Sequence, residues 1–280
     1  MKLRSKLTDI LIYSLLFALA VIWLVPLFFL LIHSFRAEPG AAIRYLFPKT
    51  YTADNYLRLF TDTDLFNFPR WYLNTLIVAA GSCVLSTMYV LMISYAFSRL
   101  RFRGRDFMMR AGLILNMFPG FMAMIAVYFI LKAVGLTQSL LSLVLVYSGS
   151  AALSYYVAKG FFDTIPRALD EAAVIDGASR ATIFWRITLP LSKPIVVYTV
   201  LMSFMAPFMD FIFASVILKD NYDKYTVALG LFQMITRENI YDYFTVFCAG
   251  AVVVAIPIAL LFLFMQRYYV EGVTGGAVKG

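Results

Sequence analysis

From Ile10 to Ile32 the chain carries no charged residue. Inside a bilayer each backbone N–H and C=O must be paired within its own segment, so a run this long and this apolar folds as a helix. Comparable runs recur at about Trp71–Phe97, Met108–Leu131, Leu140–Tyr156, Ile195–Leu218 and Phe244–Met265. Of the 280 residues, 62% are hydrophobic and 14% charged, and the mean hydropathy is +0.80, a balance foreign to ordinary soluble domains. The expected fold is therefore all-α: a polytopic membrane protein with six transmembrane helices in a single domain over residues 1–280.

The charges sort with the spans. Lys2, Arg4 and Lys6 precede the first run, whose apolar core is too long for a signal peptide and has no small-residue cleavage site behind it. It is expected to be retained and to kink at Pro26. Arg99, Arg101, Arg103 and Arg105 crowd a short turn around Gly104. Four arginines squeezed between two spans suit a positive-inside turn better than a nucleic-acid site, so no nucleic acid is expected as a partner. With Arg267, Tyr268 and Tyr269 closing the last span, both termini are expected to be cytoplasmic. Arg36–Arg70 is then the largest external loop. Thr226–Ile235 reads as an interfacial helix or re-entrant turn on that side, and the Gly-rich tail after Tyr269 reads as flexible.

Several chemistries are excluded. His33 is the only histidine, and Cys83 and Cys248 both lie inside apolar runs, so neither a metal site nor a disulfide framework is expected. No G-x-x-x-x-G-K-[ST] loop is present, and Asp170, Glu171 and Asp176 share a polar loop rather than a cleft, so no catalytic residue and no cofactor are assigned to this chain. The third span is interrupted by NMFPG, Asn116–Gly120, where Pro119 removes a helical hydrogen bond. The break either lines a translocation route or is a structural bend. Asp210 in the fifth span is costly in lipid unless it has a donor or faces water. It serves as a helix-stabilising partner or as part of the pathway. Asn116, Met117, Phe118, Met209 and Asp210 are accordingly the candidate pathway residues.

The longest charged interruption of the second half is Asp163–Pro194. Pro166 suits a first helical turn, and Ala168, Ala172 and Ile175 recur at helical spacing. Asp176 and Gly177 break the run, Ser179 caps a second helix and Pro190 closes it.

Within that loop, EAAVIDGASRATIFWRITLPLSKP resembles the EAA signature of the membrane subunits of binding-protein-dependent ABC importers, at Glu171, Ala172, Ala173, Gly177, Ile187, Leu189 and Pro190. Together with the MFPG break and the ending QRYYVEGVTGGAVKG, nearly the whole chain is similar to the MalG-type sugar permeases of maltose and maltodextrin importers. The resemblance implies a MetI-like permease fold in a bacterial or archaeal cell (inner) membrane. It also implies a MalF-like permease partner, a homodimeric MalK-like ATPase that binds ATP and Mg, an extracytoplasmic sugar-binding protein and an oligosaccharide substrate.

By the same resemblance Glu171 makes a charged contact with the ATPase, Ala172, Ala173 and Ala178 allow close approach, and Gly177 permits the turn. Ala178–Arg186 forms the docking helix, and Ile187 and Pro190 complete the signature. Phe184 and Trp185 anchor either the ATPase or the permease itself. Gly275 and Gly276, in the tail 268–280, give the backbone freedom to enter the ATPase dimer interface. An importer of another solute class and a secondary transporter are the alternative readings.

Overall fold

A computed structural model describes residues 2–41, 45, 47–118, 120–150 and 152–277. The helices are α1 (Lys2–Ser34), α2 (Asp54–Thr61), α3 (Phe68–Arg99), α4 (Arg105–Asn116), α5 (Gly120–Ala133), α6 (Leu140–Gly149) and α7 (Ala152–Asp163). They continue with α8 (Arg167–Ile175), α9 (Arg180–Ile183), α10 (Leu189–Leu191), α11 (Lys193–Met209), α12 (Ile212–Leu218), α13 (Val227–Met234) and α14 (Ile240–Ala277). No β-strand occurs among the described residues; one isolated antiparallel bridge joins Arg36 to Tyr51.

Among the described residues Thr8–Ser34, Phe68–Arg99 and Ile240–Tyr268 are each long and apolar enough to cross a membrane, and counting two bent helix pairs as spans raises the total to five, against the six expected. The expected third span is divided between α4 and α5, the fourth between α6 and α7, and the fifth between α11 and α12. Hydropathy integrates over a window and cannot register a helix that stops and restarts within it. Pro119, expected to cause the first break, lies outside the described residues. The tail also differs from expectation: α14 stays helical through Gly275 and Gly276 to Ala277. Adding a turn to a long existing helix requires no new nucleation, so even glycines are carried along.

The chain divides into two compact units, residues 1–69 with 230–256 and residues 70–229 with 257–280. In the first, the loop after α1 is tied down by buried polar bonds. The Asn55 amide donates to the carbonyls of Ser34 (2.9 Å) and Arg36 (2.8 Å), while its oxygen accepts from Thr245 Oγ1 (2.9 Å). Arg36 is fully buried, donates to the Gly40 carbonyl and lies 5.5 Å from the centre of the Phe244 ring. These contacts supply partners for loop backbone that would otherwise be buried unpaired.

Gly250 marks the crossing of α13 and α14 in this unit. A Cβ there would come within 2.5 Å of Leu231 Cδ2 and 3.4 Å of Leu59 Cδ1 and Phe68 Cε2. Gly250→Val is therefore expected to destabilise the protein by about 1–3 kcal/mol through overpacking. Gly160→Ala, where nothing lies within 4 Å, is the control. Thermal unfolding in detergent reads the difference, and equal midpoints for the two variants would refute this close approach.

In the second unit, the first turns of α3 clamp the segment before α13. Trp71 Nε1 donates to the Tyr222 carbonyl (2.9 Å), Asn74 donates to those of Asp223 (2.9 Å) and Tyr225 (3.0 Å), and the Val227 N–H donates to Thr75 Oγ1 (2.8 Å). Farther along α3, Gly81 lets Val144 of α6 approach, Ser86 pairs with Ser203 of α11 (3.1 Å), and Ser94 donates to the Tyr155 carbonyl of α7 (3.0 Å). Small and hydroxylated residues on one apolar helix thus supply both close approach and polar glue. Thr226–Ile235 contains the short helix α13, whose Val227, Leu229, Leu231 and Met234 are buried.

Candidate functional site

The polar loop folds as its residues dictate. Helix α8 starts behind Pro166 and ends in a Schellman motif, with the Gly177 N–H bonded to the Val174 carbonyl (3.0 Å) and the Ala178 N–H to that of Ala173 (2.9 Å). Gly177 takes φ +80° to close it, with open space around a would-be Cβ. Ser179 Oγ then accepts from the Thr182 N–H (3.1 Å) and starts α9.

The second helix is longer than expected. It runs from Arg180 to Leu191 and meets α11 at an angle of 85° across Ser192. Between α9 and α10 the turn widens, with the Leu189 N–H reaching the Phe184 carbonyl five residues back. Pro190 cannot donate, and its ring crowds the carbonyl four residues earlier. A widened turn just before it relieves that crowding without ending the helix.

The loop is fastened to the spans by an ion pair, an apolar contact and two hydrogen bonds. Arg99, at the end of α3, lies 3.1 Å from Asp170 on α8, with side chains 3% and 15% exposed. The same guanidinium donates to the Ile165 carbonyl (2.9 Å). Phe184 is buried, its ring 5.0 Å from that of Tyr95, in a cluster with Leu91, Phe162, Ile165 and Ile195. Tyr95 also donates to the Arg180 carbonyl (3.4 Å).

The signature residues therefore divide. Ala173 and Phe184 face inward, and Ile187 and Ala178 are half-buried. Glu171, Ala172, Gly177 and Pro190 are exposed. Of the two candidate anchors, Phe184 packs on this chain, whereas Trp185 is left 60% exposed. What emerges is a polar knob with an outward face of carboxylate, small residues and Trp185.

Asp210 lies at the break between α11 and α12. Its Oδ1 accepts from the Phe213 N–H (3.1 Å), and its Oδ2 from the Ala214 N–H (3.0 Å) and the Tyr147 hydroxyl (2.5 Å). The carboxylate thus serves the unpaired N–H groups at the start of α12, and Tyr147 ties the break to α6. Tyr147 was not among the expected residues; a lone tyrosine in an apolar run carries no signal before its partner is placed. Met209, next to Asp210, is 73% exposed. Asn116 ends α4 and Met117 and Phe118 follow it; all three are exposed, the last two at 84% and 61%. Among the described residues no hydrogen bond or ring contact joins them to Asp210. Neither is there a group of His, Cys, Asp and Glu that could hold a metal.

Residues 91–275 match the family described as the binding-protein-dependent transport system inner membrane component. The chain is 36% identical over 281 residues to the galactooligosaccharides transport system permease protein GanQ of Bacillus subtilis (strain 168), spanning 100% of this chain and 99% of that protein. It is likewise 36% identical over 269 residues to the maltodextrin transport system permease protein MdxG of the same organism, spanning 96% and 95%. Among solved structures, a bacterial ABC transporter involved in the import of the acidic polysaccharide alginate aligns with a TM-score of 0.79, over 94% of this chain and 97% of that one. At 23% identity that likeness is one of fold, and it is the all-α importer permease fold expected from the sequence.

Proposed function

Because this chain belongs to the family of inner membrane components of binding-protein-dependent transport systems, we propose that it is the permease subunit of an ATP-driven oligosaccharide importer. The observation that carries the sugar class is end-to-end similarity to two oligosaccharide permeases. Maltodextrins and galactooligosaccharides are the leading substrates. A second, MalF-like permease completes the pathway, an extracytoplasmic binding protein delivers the sugar, and a MalK-like ATPase dimer binds ATP and Mg. This subunit catalyses no reaction itself, and both of its termini face the cytoplasm.

The knob of α8 to α10 is the coupling element. A helix fastened to α3 and α11 transmits the movement of a clasping ATPase to the spans, where a slack loop would absorb it. Glu171, Ala172, Gly177, Ala178, Ile187 and Pro190 form or shape its docking face, and Phe184 holds it to the spans. The helical extension through Gly275 and Gly276 carries the tail toward the ATPase dimer interface. Asn116, Met117, Phe118, Met209 and Asp210 remain the pathway candidates, at two broken helices.

The test is uptake into proteoliposomes holding the permease pair and ATPase, with the binding protein outside, screened across maltodextrins and galactooligosaccharides. ATP-dependent uptake of one of them is expected. Stimulation of ATP hydrolysis only by a non-sugar solute would overturn the sugar class. In the same assay Glu171→Arg and Gly177→Val are expected to leave the protein in the membrane but to lower sugar-stimulated ATP hydrolysis several-fold. Valine at φ +80° costs about 1–2 kcal/mol of backbone strain and shifts the second helix. Normal stimulation in both variants would remove the coupling role.

A further inference from the structure

The outward end of α3 and helix α8 enclose an open groove of about 860 Å³, within the roughly 300–1,000 Å³ usual for ligand sites. It is lined by Arg101 and Phe102 of the turn between α3 and α4, by Arg167, Val174 and Ile175 of α8 and by Arg180 of α9. The groove lies past the ends of the apolar segments, since the α3 span stops at Arg99 and the α6–α7 pair at Asp163.

Its charge is unbalanced. Arg99 is taken up by Asp170. Arg101, Arg167 and Arg180 make no ion pair among the described residues, and the one unpaired carboxylate lining the groove is that of Glu171. Among these cations lie bulky apolar side chains in contact with solvent: Ile175 is 85% exposed, Val174 51% and Phe102 40%. Fixed positive charge beside exposed aliphatic surface fits a protein segment that carries carboxylates together with an apolar side chain. A phospholipid headgroup fits less well, because the exposed apolar residues Phe102, Val174 and Ile175 lie beyond the ends of the spans, away from acyl chains.

We propose that this groove is a receiving site for an acidic, apolar-tipped segment of the ATPase, so that the α3–α4 turn is a second docking element beside the signature loop. The proposal rests on the functional reading above, which supplies the ATPase. It adds that the ATPase inserts into this subunit as well as clasping its knob. Arg101 and Phe102, outside the signature, are then contact residues. Because the turn continues from α3, a segment seated there pushes on that span directly.

The test uses the purified wild-type permease pair in nanodiscs and the ATPase that copurifies with it. Arg101→Glu and Arg167→Glu are each expected to weaken ATPase binding about tenfold, and Arg101→Lys to restore most of it. A photo-crosslinking residue in place of Phe102 is expected to label the ATPase. Both sites are exposed, so these variants do not threaten folding, and detergent melting points check this. If no ATPase copurifies with the wild-type pair, the functional reading falls and this proposal with it. If the wild type binds and transports while both charge reversals bind equally well and the Phe102 probe stays unlinked, the groove proposal alone falls. Normal ATPase binding with lost stabilisation by phosphatidylglycerol vesicles would give the groove to lipid and likewise overturn it.

Discussion

Arg99→Ala is expected to lower the stability of the permease by about 3–5 kcal/mol and to uncouple it from ATP hydrolysis. The Arg99–Asp170 pair is almost withdrawn from solvent, at 3% and 15% side-chain exposure. Removing one member leaves the other, largely buried charge without its partner. The loss also takes away the bond from Arg99 to the Ile165 carbonyl, just before α8. Phe184 against Tyr95 would then be the chief remaining fastening of the knob to α3. Arg99→Lys keeps the charge but not both contacts and should fall between. In a double-mutant cycle, Arg99→Ala with Asp170→Ala should cost less than the sum of the singles, because neither charge is left alone. Thermal unfolding and sugar-stimulated ATP hydrolysis are the measurements. Wild-type values for Arg99→Ala in both would show that this pair neither holds the loop nor transmits force.

Asp210→Ala is expected to have the other large effect. It strands the N–H groups of Phe213 and Ala214 and the hydroxyl of Tyr147. Each orphaned donor costs about 1–3 kcal/mol when buried, and the variant should accumulate poorly in the membrane. Tyr147→Phe removes a single donor and should cost only about 0.5–1.5 kcal/mol. Asp210→Asn separates the two readings of this residue, since it keeps one acceptor oxygen but loses the charge. A variant that folds and transports like the wild type would confine Asp210 to stabilising the break. Normal melting with lost uptake would place it in the pathway. Wild-type stability for Asp210→Ala would contradict the stabilising role.

The sequence by itself determined the elements whose cause is local. Apolar runs require helices in lipid, and so α1, α3 and α14 were legible from hydropathy. Pro166, Gly177 and Ser179 each act on their own backbone, and so the two-helix form of the loop and its turn were legible as well. The signature spacing supplied the family.

Whatever depends on residues far apart in sequence was decided by tertiary structure. Arg99 reads as one more positive-inside arginine until folding sets it against Asp170. Phe184 and Trp185 are adjacent and equally apolar, yet one is buried against Tyr95 and the other faces outward, because successive helix positions point about 100° apart and only the location of α3 selects which is covered. Likewise, Asp210 ends one helix and starts the next only because Tyr147 and the first N–H groups of α12 converge on it. Local propensity is a property of neighbouring residues, whereas burial, ion pairing and the continuity of a span depend on which other segment arrives, and that is specified only by the folded chain.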